Sequence, residues 1–230
     1  MEAFVAAAGS DYTSSVHQLH ARERMIEDQI AARGVRDPAV LDAIRSVPRE
    51  LFVPDGAIHE AYEDRALPIG PAQTISQPFI VAYMTERLAI RPHQVVLEVG
   101  TGSGYQAAVL SRLAARVHTI EQAAHLSEAA QRRLRHLGIT NVSFHVGDGS
   151  LGLPEHAPYD RIMVTAACPR PPQPLVDQLR LGGLLEAPVG TVDMQSLVLV
   201  GRRDSGTVET PLIKCRFVKL VGAAGWPVGE

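Results

Sequence analysis

The feature that most constrains the fold is a regular alternation of strand-like and helical segments in the middle of the chain. Segment 95–99 is a β-branched run of strand length, and three alternating glycines separate it from an apolar helical segment, 105–115. Further strand-like segments lie at 117–121, 142–146 and 161–165, with helical segments between most of them. This repetition requires a parallel sheet, because parallel strands are joined by helical crossovers. We therefore predict an α/β fold with a Rossmann-like, doubly wound, mostly parallel sheet.

The N-terminal part does not follow this alternation. In residues 22–46, apolar residues recur at spacings of three and four, which predicts helices. Gly34 is a predicted helix stop, and Asp37 with Pro38 is a predicted cap and first turn of the next helix. Residues 1–21 show no such pattern, and we expect them to form a flexible extension.

A segment rich in proline and glycine, residues 67–78, follows the N-terminal helices. Its composition argues against a regular helix or strand. Its length and its mixture of apolar and polar residues are typical of a loop that covers a binding site. A helix is predicted to follow it, from Pro78 to Leu88.

The C-terminal part again changes character. Segments 196–201 and 213–220 are strand-like, with little helical pattern between them. Strands that follow each other without a crossover pair antiparallel. We therefore expect an antiparallel edge at this end of the sheet.

Composition and charge narrow the class of protein. The 230 residues are 46% hydrophobic and 20% charged, which is typical of an ordered globular chain. A formal net charge of −3 argues against a general nucleic-acid binder, and no apolar run approaches the length of about 18 residues that a membrane span needs. Glu2 stands where a signal peptide is basic, and Cys168 and Cys215 are too few for a disulfide scaffold. We expect a cytoplasmic protein without nucleic-acid or membrane partners.

The strongest chemical signal is the glycine-rich turn after the first strand of the sheet, which reads Glu98-Val99-Gly100-Thr101-Gly102-Ser103-Gly104-Tyr105. Glycines at this place let the backbone approach a ligand and open a helix whose N-terminus faces that ligand. The dinucleotide fingerprint would need a glycine where Tyr105 stands. Glu98, two residues before the first glycine, is a further feature of S-adenosylmethionine sites, because a carboxylate attracts a cofactor that carries an ammonium and a sulfonium group.

Two more acidic residues end neighbouring strands. Glu121 ends the second strand, where its carboxylate could accept both hydroxyls of a ribose; an acid there also serves NAD enzymes. Asp148, between two glycines at the end of the third strand, either accepts from an adenine amine or caps the next helix. Carboxyl ends of parallel strands meet at one edge of a sheet, so these residues predict a cofactor crevice there.

Other catalytic groups are missing from the predicted crevice. The end of the fourth strand, 164–169, lacks the Asn-Pro-Pro-aromatic run of enzymes that methylate bases, and it offers no carboxylate pair for Mg²⁺. His17 and His20 have no Cys or carboxylate beside them and are expected to be a surface pair. Cys168 is expected to pack at a strand end. We therefore predict no metal.

Several segments together resemble the protein-L-isoaspartate O-methyltransferase family. They are the block Gln73-Thr74-Ile75-Ser76-Gln77-Pro78 with the residues before it, the glycine-rich segment 96–108, and the shorter segments 147–149, 164–167 and 216–222. The glycine-rich segment alone indicates only a methyltransferase, whereas the block 73–78 is specific to this family. The resemblance extends from Arg24 to Trp226. One departure is Pro71-Ala72, which stands where the family usually has a pair that contains glycine.

The resemblance implies an enzyme that transfers a methyl group from S-adenosyl-L-methionine to the free α-carboxylate of L-isoaspartyl residues in damaged proteins and peptides. S-adenosyl-L-homocysteine would be the second product, and no metal is implied. Ser76 would be the catalytic residue and would donate a hydrogen bond to the substrate carboxylate. With the glycine-rich turn and the acidic residues, the residues expected at the cofactor are Gln73, Thr74, Ile75, Ser76, Glu98, Gly100, Thr101, Gly102, Ser103, Gly104, Tyr105, Glu121, Asp148 and Gly149. Those expected at the substrate are Ser76, Arg216, Phe217 and Val218.

We expect a monomer with a single methyltransferase domain, residues 22–230, after the flexible extension 1–21. Within it, 22–90 would supply the helices and the covering loop, 91–190 the cofactor-binding core, and 191–230 the C-terminal strands. The main alternative is a methyltransferase for a small-molecule acceptor. An NAD-dependent oxidoreductase and a cofactor-binding regulatory protein without activity are further alternatives.

Overall fold

The computed structural model describes residues 16–70 and 73–227. Its strands in chain order are β1 (Leu67–Gly70), β2 (Gln73–Ile75), β3 (Val95–Val99), β4 (Arg116–Glu121), β5 (Val142–Val146), β6 (Tyr159–Val164), β7 (Leu179–Gly190), β8 (Gln195–Arg203) and β9 (Gly206–Cys215). Strands β3 to β9 form one sheet in the order β5-β4-β3-β6-β7-β8-β9. Strands β3 to β7 are parallel to their neighbours within this set, and β8 and β9 run antiparallel.

This topology confirms the predicted fold class. The strand order reverses at β3, which pairs with β4 on one side and with β6 on the other. In an open α/β sheet, ligands bind beyond the carboxyl ends of the strands at such a reversal. The fold therefore places a crevice beyond Val99 and Val164, the last residues of β3 and β6.

Six helices connect the strands or precede them in the described part of the chain. They are α1 (residues 16–24), α2 (Pro38–Ser46), α3 (Pro78–Arg87), α4 (Tyr105–Ser111), α5 (Ala124–His136) and α6 (Gln173–Asp177). α1 continues through a π-helical turn, Met25–Ile30, to Gly34, and the Asp37 carboxylate caps α2 by accepting from the N–H of Ala39, both as predicted. Further 3₁₀ segments occur at Arg49–Phe52, Asp55–Glu60, Gly149–Leu151 and Pro154–His156.

The apolar core lies on both faces of the sheet, as doubly wound folds require. Val96 and Leu97 are adjacent on β3 and wholly buried, yet they pack into different apolar clusters, because successive strand side chains point to opposite faces. A further cluster joins the N-terminal helices to α4 and α5 through residues such as Ile30, Phe52 and Tyr105. This packing fixes the N-terminal helices beside the glycine-rich turn.

The prediction that residues 67–78 form no regular element is wrong for most of the segment. β1 and β2 pair antiparallel, with Leu67 opposite Ile75 and Pro68 opposite Thr74. A two-stranded ribbon has a free edge on each strand, so a proline without an N–H can be accommodated there. Residues 71 and 72, which include the departure from the family pattern, lie outside the described residues.

The predicted strand 213–220 is also only partly correct. The strand β9 begins earlier, at Gly206, and ends at Cys215. The chain then leaves the sheet edge and returns to the end of β6, where Ala167 donates to the carbonyl of Val218 and accepts from the N–H of Leu220, both at 2.7 Å. This return lays residues 216–220 beside the carboxyl ends of the strands.

Smaller differences concern the ends of helices. The predicted helix 105–115 ends at Ser111, and the helix predicted from residue 22 is already formed at residue 16. Residues 16–21 therefore belong to α1 rather than to the predicted extension, and Ala21 packs against the apolar core. Residues 1–15 lie outside the described part. No helix in the described ranges is both long and apolar enough to span a bilayer.

Candidate functional site

A cleft of about 360 Å³ opens beyond the carboxyl ends of β3, β4 and β6. This volume is within the range of roughly 300–1,000 Å³ typical of small-molecule sites. Three segments that are distant in sequence form its walls: the end of the β1–β2 hairpin, the glycine-rich turn and the C-terminal return. The predicted site residues that line it are Gln73, Thr74, Ile75, Ser76, Gly100, Thr101, Gly102, Ser103, Tyr105, Glu121, Gly149, Arg216, Phe217 and Val218. Glu98, Gly104 and Asp148 are predicted site residues that do not line it.

Two glycines of the turn are required by its backbone. Gly100 has a φ of +99°, and a Cβ there would collide with Oγ1 of Thr165, which donates to the carbonyl of Gly100 at 2.8 Å. Gly104, with a φ of +88°, begins α4, and a Cβ there would lie 2.9 Å from the Cβ of Ala130 on α5. Gly100 therefore shapes the floor of the cleft, whereas Gly104 allows α4 and α5 to pack closely.

The carboxylate of Glu121 is held rigidly at the cleft. One oxygen accepts from the N–H of Gly102 at 3.0 Å, and the other accepts from the N–H of Ala123 at 3.1 Å. The residue is only 8% exposed and lies at the end of β4, as predicted. Because each carboxylate oxygen can accept more than one hydrogen bond, Glu121 can still accept from two neighbouring hydroxyls of a ligand.

Glu98 occupies a different environment from the one expected. It is wholly buried, and its Oε2 accepts from the hydroxyl of Thr119 at 2.5 Å; that hydroxyl lies 2.6 Å from the hydroxyl of Thr101. Burial, together with a smaller effect of the nearby Glu121, raises the pKa of Glu98 to about 8 against the opposing hydrogen bond from Thr119. Glu98 is not among the residues that line the cleft, so this geometry provides no direct contact with a ligand there.

Asp148 follows the alternative that the sequence left open and caps the next turn. Its Oδ1 accepts from the N–H and the hydroxyl of Ser150, and its Oδ2 accepts from the N–H of Ala223 at 2.8 Å. Burial alone would raise the pKa of Asp148, but these hydrogen bonds hold it below its ordinary value. Its carboxylate thus ties the C-terminal return to the end of β5, and the adjacent Gly149 lines the cleft.

The hydroxyl of Ser76 is available to the cleft. Among the described residues, none forms a hydrogen bond with this hydroxyl, and the residue that precedes α3 as its cap is Gln77. Ser76 therefore neither caps α3 nor forms a side-chain hydrogen bond with another described residue.

The backbone of Ser76 is held by an arginine that sequence reasoning missed. Arg49 is wholly buried and donates from Nη2 to the carbonyl of Ser76 at 2.8 Å and from Nε to the carbonyl of Ala61 at 2.7 Å. Its guanidinium carbon lies 5.0 Å from the ring centroid of Tyr105, a residue of the cleft wall. Burial lowers the pKa of Arg49 to about 10, so the group is still charged at neutral pH. A lone arginine after a proline gives no sequence signal for such a role.

The end of β9 and the C-terminal return together supply a cationic rim. Lys214, Arg216 and Lys219 all line the cleft, and Arg216 is exposed. The backbone of this segment is partly used within the protein, because Phe217 donates its N–H to Oε1 of Gln195 and Val218 accepts from Ala167. The rim suits a negatively charged ligand group. The backbone groups of Phe217 and Val218 that bond within the protein are not available to a peptide.

The two cysteines show no reactive environment. Both are buried free thiols. Burial raises the pKa of Cys168 to about 12 and that of Cys215 to about 11. Cys168 packs at the strand end as predicted, and its Sγ lies 3.4 Å from the carbonyl of Pro188.

These features fit an S-adenosylmethionine site better than a site for proton chemistry. The exposed glycine backbone and Glu121 suit the amino-acid and ribose parts of that cofactor, and Val99 and Ile120 offer an apolar wall. No histidine is among the described residues that line the cleft. The arrangement can thus bind a cationic cofactor and bring an anionic acceptor to it, next to the Ser76 hydroxyl.

Comparison with known proteins bears on the whole chain. Residues 20–225 match the family described as Protein-L-isoaspartate(D-aspartate) O-methyltransferase. The chain is 55% identical to the Protein-L-isoaspartate O-methyltransferase of Methanoculleus marisnigri over 206 residues, which are 89% of this chain and 93% of that protein. It is 52% identical to Protein-L-isoaspartate O-methyltransferase 2 of Pelobacter propionicus over 212 residues, which are 91% of this chain and 94% of that protein.

Solved structures agree with this match. A protein-L-isoaspartate O-methyltransferase superposes with a TM-score of 0.81 at 32% identity, over 89% of this chain and 67% of that one. A Plasmodium falciparum protein, solved under a similar description with S-adenosyl-L-homocysteine bound, superposes with a TM-score of 0.77 over 87% of this chain and 98% of that one. At 23% identity, this second likeness concerns the fold alone.

Proposed function

The chain belongs to the protein-L-isoaspartate O-methyltransferase family, and from this premise we propose how its cleft carries out the reaction. The enzyme transfers a methyl group from S-adenosyl-L-methionine to the free α-carboxylate of L-isoaspartyl residues in damaged proteins and peptides. The resulting ester closes to a succinimide without further catalysis, and the succinimide reopens in part to normal aspartate. One observation carries the assignment of roles: the Ser76 hydroxyl is unengaged by the described residues and faces the cleft beside the glycine-rich turn.

The cofactor would be held by the glycine-rich turn and by Glu121. When bound, S-adenosyl-L-methionine supplies an electrophilic methyl group on a sulfonium. The backbone of Gly100 and Gly102 allows close approach at the floor of the cleft, and Glu121 accepts hydrogen bonds from the ribose hydroxyls. Gly149 and Ile120 lie where they can pack against the adenine.

The acceptor needs orientation rather than a general base. An α-carboxyl group with a pKa of about 3.5 is already ionised at neutral pH, so its oxygen is a nucleophile without proton removal. The Ser76 hydroxyl donates to one carboxylate oxygen and leaves the other free to attack. Arg216 and Lys214 at the rim attract the carboxylate and help to hold it. Fixing the two reacting atoms in line can account for up to roughly 7–11 kcal/mol of the barrier.

The three segments of the chain would divide this work. Residues 22–90 supply the N-terminal helices and the hairpin that covers the cleft, 91–190 hold the cofactor, and 191–230 form the substrate wall. Within the proposal the enzyme is a monomer that acts in the cytoplasm, where reducing conditions keep its two thiols free. Its net charge of −3 is in keeping with peptide substrates rather than nucleic acid.

A matched pair of peptides tests the proposed function. One peptide contains an L-isoaspartyl residue and the other contains normal aspartate in the same sequence. Incubation with methyl-labelled S-adenosyl-L-methionine should label only the isoaspartyl peptide, and mild base should release the label as volatile methanol, because the product is an ester. Equal labelling of both peptides, or a label that resists base, would contradict carboxyl methylation of isoaspartate.

A further inference from the structure

Three histidines converge at a place that the methyl-transfer reaction does not use. His118 lies on β4, His145 on β5, and His156 at the end of the 3₁₀ turn that precedes β6. Nδ1 of His118 lies 3.2 Å from Nε2 of His145. The ring centroid of His156 lies 4.5 Å from that of His118 and 4.9 Å from that of His145. One nitrogen from each of the three rings lies within 4.8 Å of the other two.

This cluster is separate from the cleft. None of its three members lines the cleft. His118 precedes Glu121 by three residues on β4, so their side chains point to opposite faces of the sheet. The ring of His118 makes an edge contact with the ring of Tyr159. The hydroxyl of Tyr159 donates to the carbonyl of Leu153, which lies in the connection between β5 and β6.

The geometry of the first two rings matches that of metal ligands. Zinc binds histidine nitrogen at about 2.0–2.1 Å, and a tetrahedral angle then places two ligand nitrogens about 3.3 Å apart. Nδ1 of His118 and Nε2 of His145 are 3.2 Å apart, where the two rings form a hydrogen bond that a bound ion would replace. His156 is exposed on a short turn, so its ring can move the small distance needed to join them.

We propose that His118, His145 and His156 together bind one zinc ion, with water at the fourth position. Neutral imidazole is the commonest protein ligand of zinc, and three histidines with an open position are an established zinc-binding set. The ion would join β4 and β5 to the connection between β5 and β6, which also carries Asp148 and Gly149. Its role is therefore to fasten this connection to the sheet, away from the reacting groups.

The sequence does not reveal this cluster, because its members are scattered. His118 and His145 are 27 residues apart, and they lie in two different strands. Parallel pairing places His145 opposite Ile120. Ile120 is two residues after His118 on β4, so the side chains of His118 and His145 lie on the same face of the sheet. The expectation of no metal thus rested on local spacing, which does not detect a site assembled across a sheet.

Calorimetric titration of the metal-stripped full-length protein with zinc chloride tests the proposal. One zinc ion should bind per chain, and the His156→Gln variant should bind at least tenfold more weakly. Because His156 is exposed, this variant should keep the fold, which circular dichroism can verify. The matched control is the double variant His17→Gln/His20→Gln, which removes the surface pair on α1 and should leave zinc affinity unchanged.

Cobalt provides a second measurement on the same variants. Co²⁺ in the site should give the visible absorption of a low-coordinate nitrogen-ligated ion, and His145→Gln should abolish it. Absence of zinc binding, unchanged affinity in His156→Gln, or loss of binding only in the control double variant would each overturn the proposal. Methyl transfer does not enter these measurements, so failure of the proposed function would leave them unaffected.

Discussion

Arg49 donates a hydrogen bond from Nη2 to the carbonyl oxygen of Ser76 at 2.8 Å, so a wholly buried guanidinium holds the backbone of a residue that lines the cleft and is the proposed contact of the substrate. The same group binds the carbonyl of Ala61, while its Nη1 has no hydrogen-bond partner among the described residues. A buried charge without an acidic partner is unfavourable. The presence of this buried charge indicates that the position of the Ser76 backbone depends on the guanidinium. We therefore assign Arg49 as a positioning residue.

Replacing Arg49 by lysine should lower kcat/KM by about tenfold or more. A lysine keeps the charge but has no rigid fork to reach both carbonyls, and each buried carbonyl left unpaired costs about 1–3 kcal/mol. Steady-state methylation of an isoaspartyl peptide should show a drop mainly in kcat, with affinity for S-adenosyl-L-homocysteine less affected. The half-buried Arg45, which lies away from the cleft, is replaced by lysine in the same way as the control and should stay near wild type. A lower melting temperature with full turnover in Arg49→Lys would leave only a structural role.

Removing the Ser76 hydroxyl should produce a graded loss rather than abolish activity. In the proposed mechanism the hydroxyl orients the acceptor and is not a nucleophile, so Ser76→Ala loses one hydrogen bond to a charged group, about 1.5–3 kcal/mol. This corresponds to roughly a ten- to hundredfold drop in kcat/KM with the fold intact. Ser76→Thr should be milder, and Ser76→Cys should be no better than Ala because a thiol is a weak donor. Full activity of the Ala variant, or a loss confined to cofactor affinity, would remove Ser76 from the proposed role.

What the sequence predicted well depended on local pattern. The bounds of β3 and β5 agree with the predicted strands at both ends, because each begins and ends with a valine and is followed by a glycine. Glu121 lies at the cleft as predicted, because the carboxyl ends of parallel strands meet at one edge of the sheet. The parallel pairing of β3 to β7 likewise follows from the alternation of strands and helices.

What the sequence missed depends on contacts between distant residues. Arg49 and Ser76 are 27 residues apart, and no local pattern links them. Glu98 is wholly buried and does not line the cleft, and a spacing of two residues from a glycine does not tell whether a side chain reaches the cleft. The hairpin was missed because proline and glycine count against strands in general, although they are tolerated in a two-stranded ribbon.

Replacing Glu121 by alanine should weaken binding of S-adenosyl-L-homocysteine by about ten- to hundredfold. The carboxylate is the proposed acceptor for the ribose hydroxyls, and hydrogen bonds to a charged group are worth about 1.5–3 kcal/mol. Calorimetric titration with S-adenosyl-L-homocysteine gives the affinity directly. Glu128→Ala on α5, which removes an exposed carboxylate, is the control and should bind like wild type. Equal affinity in the two variants would show that Glu121 does not contact the cofactor.

In the Glu98→Gln variant, the free energy of unfolding should decrease less than in wild type as the pH rises. The pKa of Glu98 is about 8 in the folded protein, against an ordinary value of 4.5, so between these values the folded state holds a proton that the unfolded state has lost. Ionisation of the unfolded state therefore lowers the free energy of unfolding as pH rises, by a few kcal/mol in total between pH 5 and pH 8. Glutamine stays neutral and can still accept from Thr119, so the variant should gain stability relative to wild type across this range. Urea unfolding at several pH values measures the difference, with the exposed Glu128→Gln as a control whose stability should follow wild type. Parallel pH profiles for wild type and Glu98→Gln would mean that Glu98 is ionised in the folded protein.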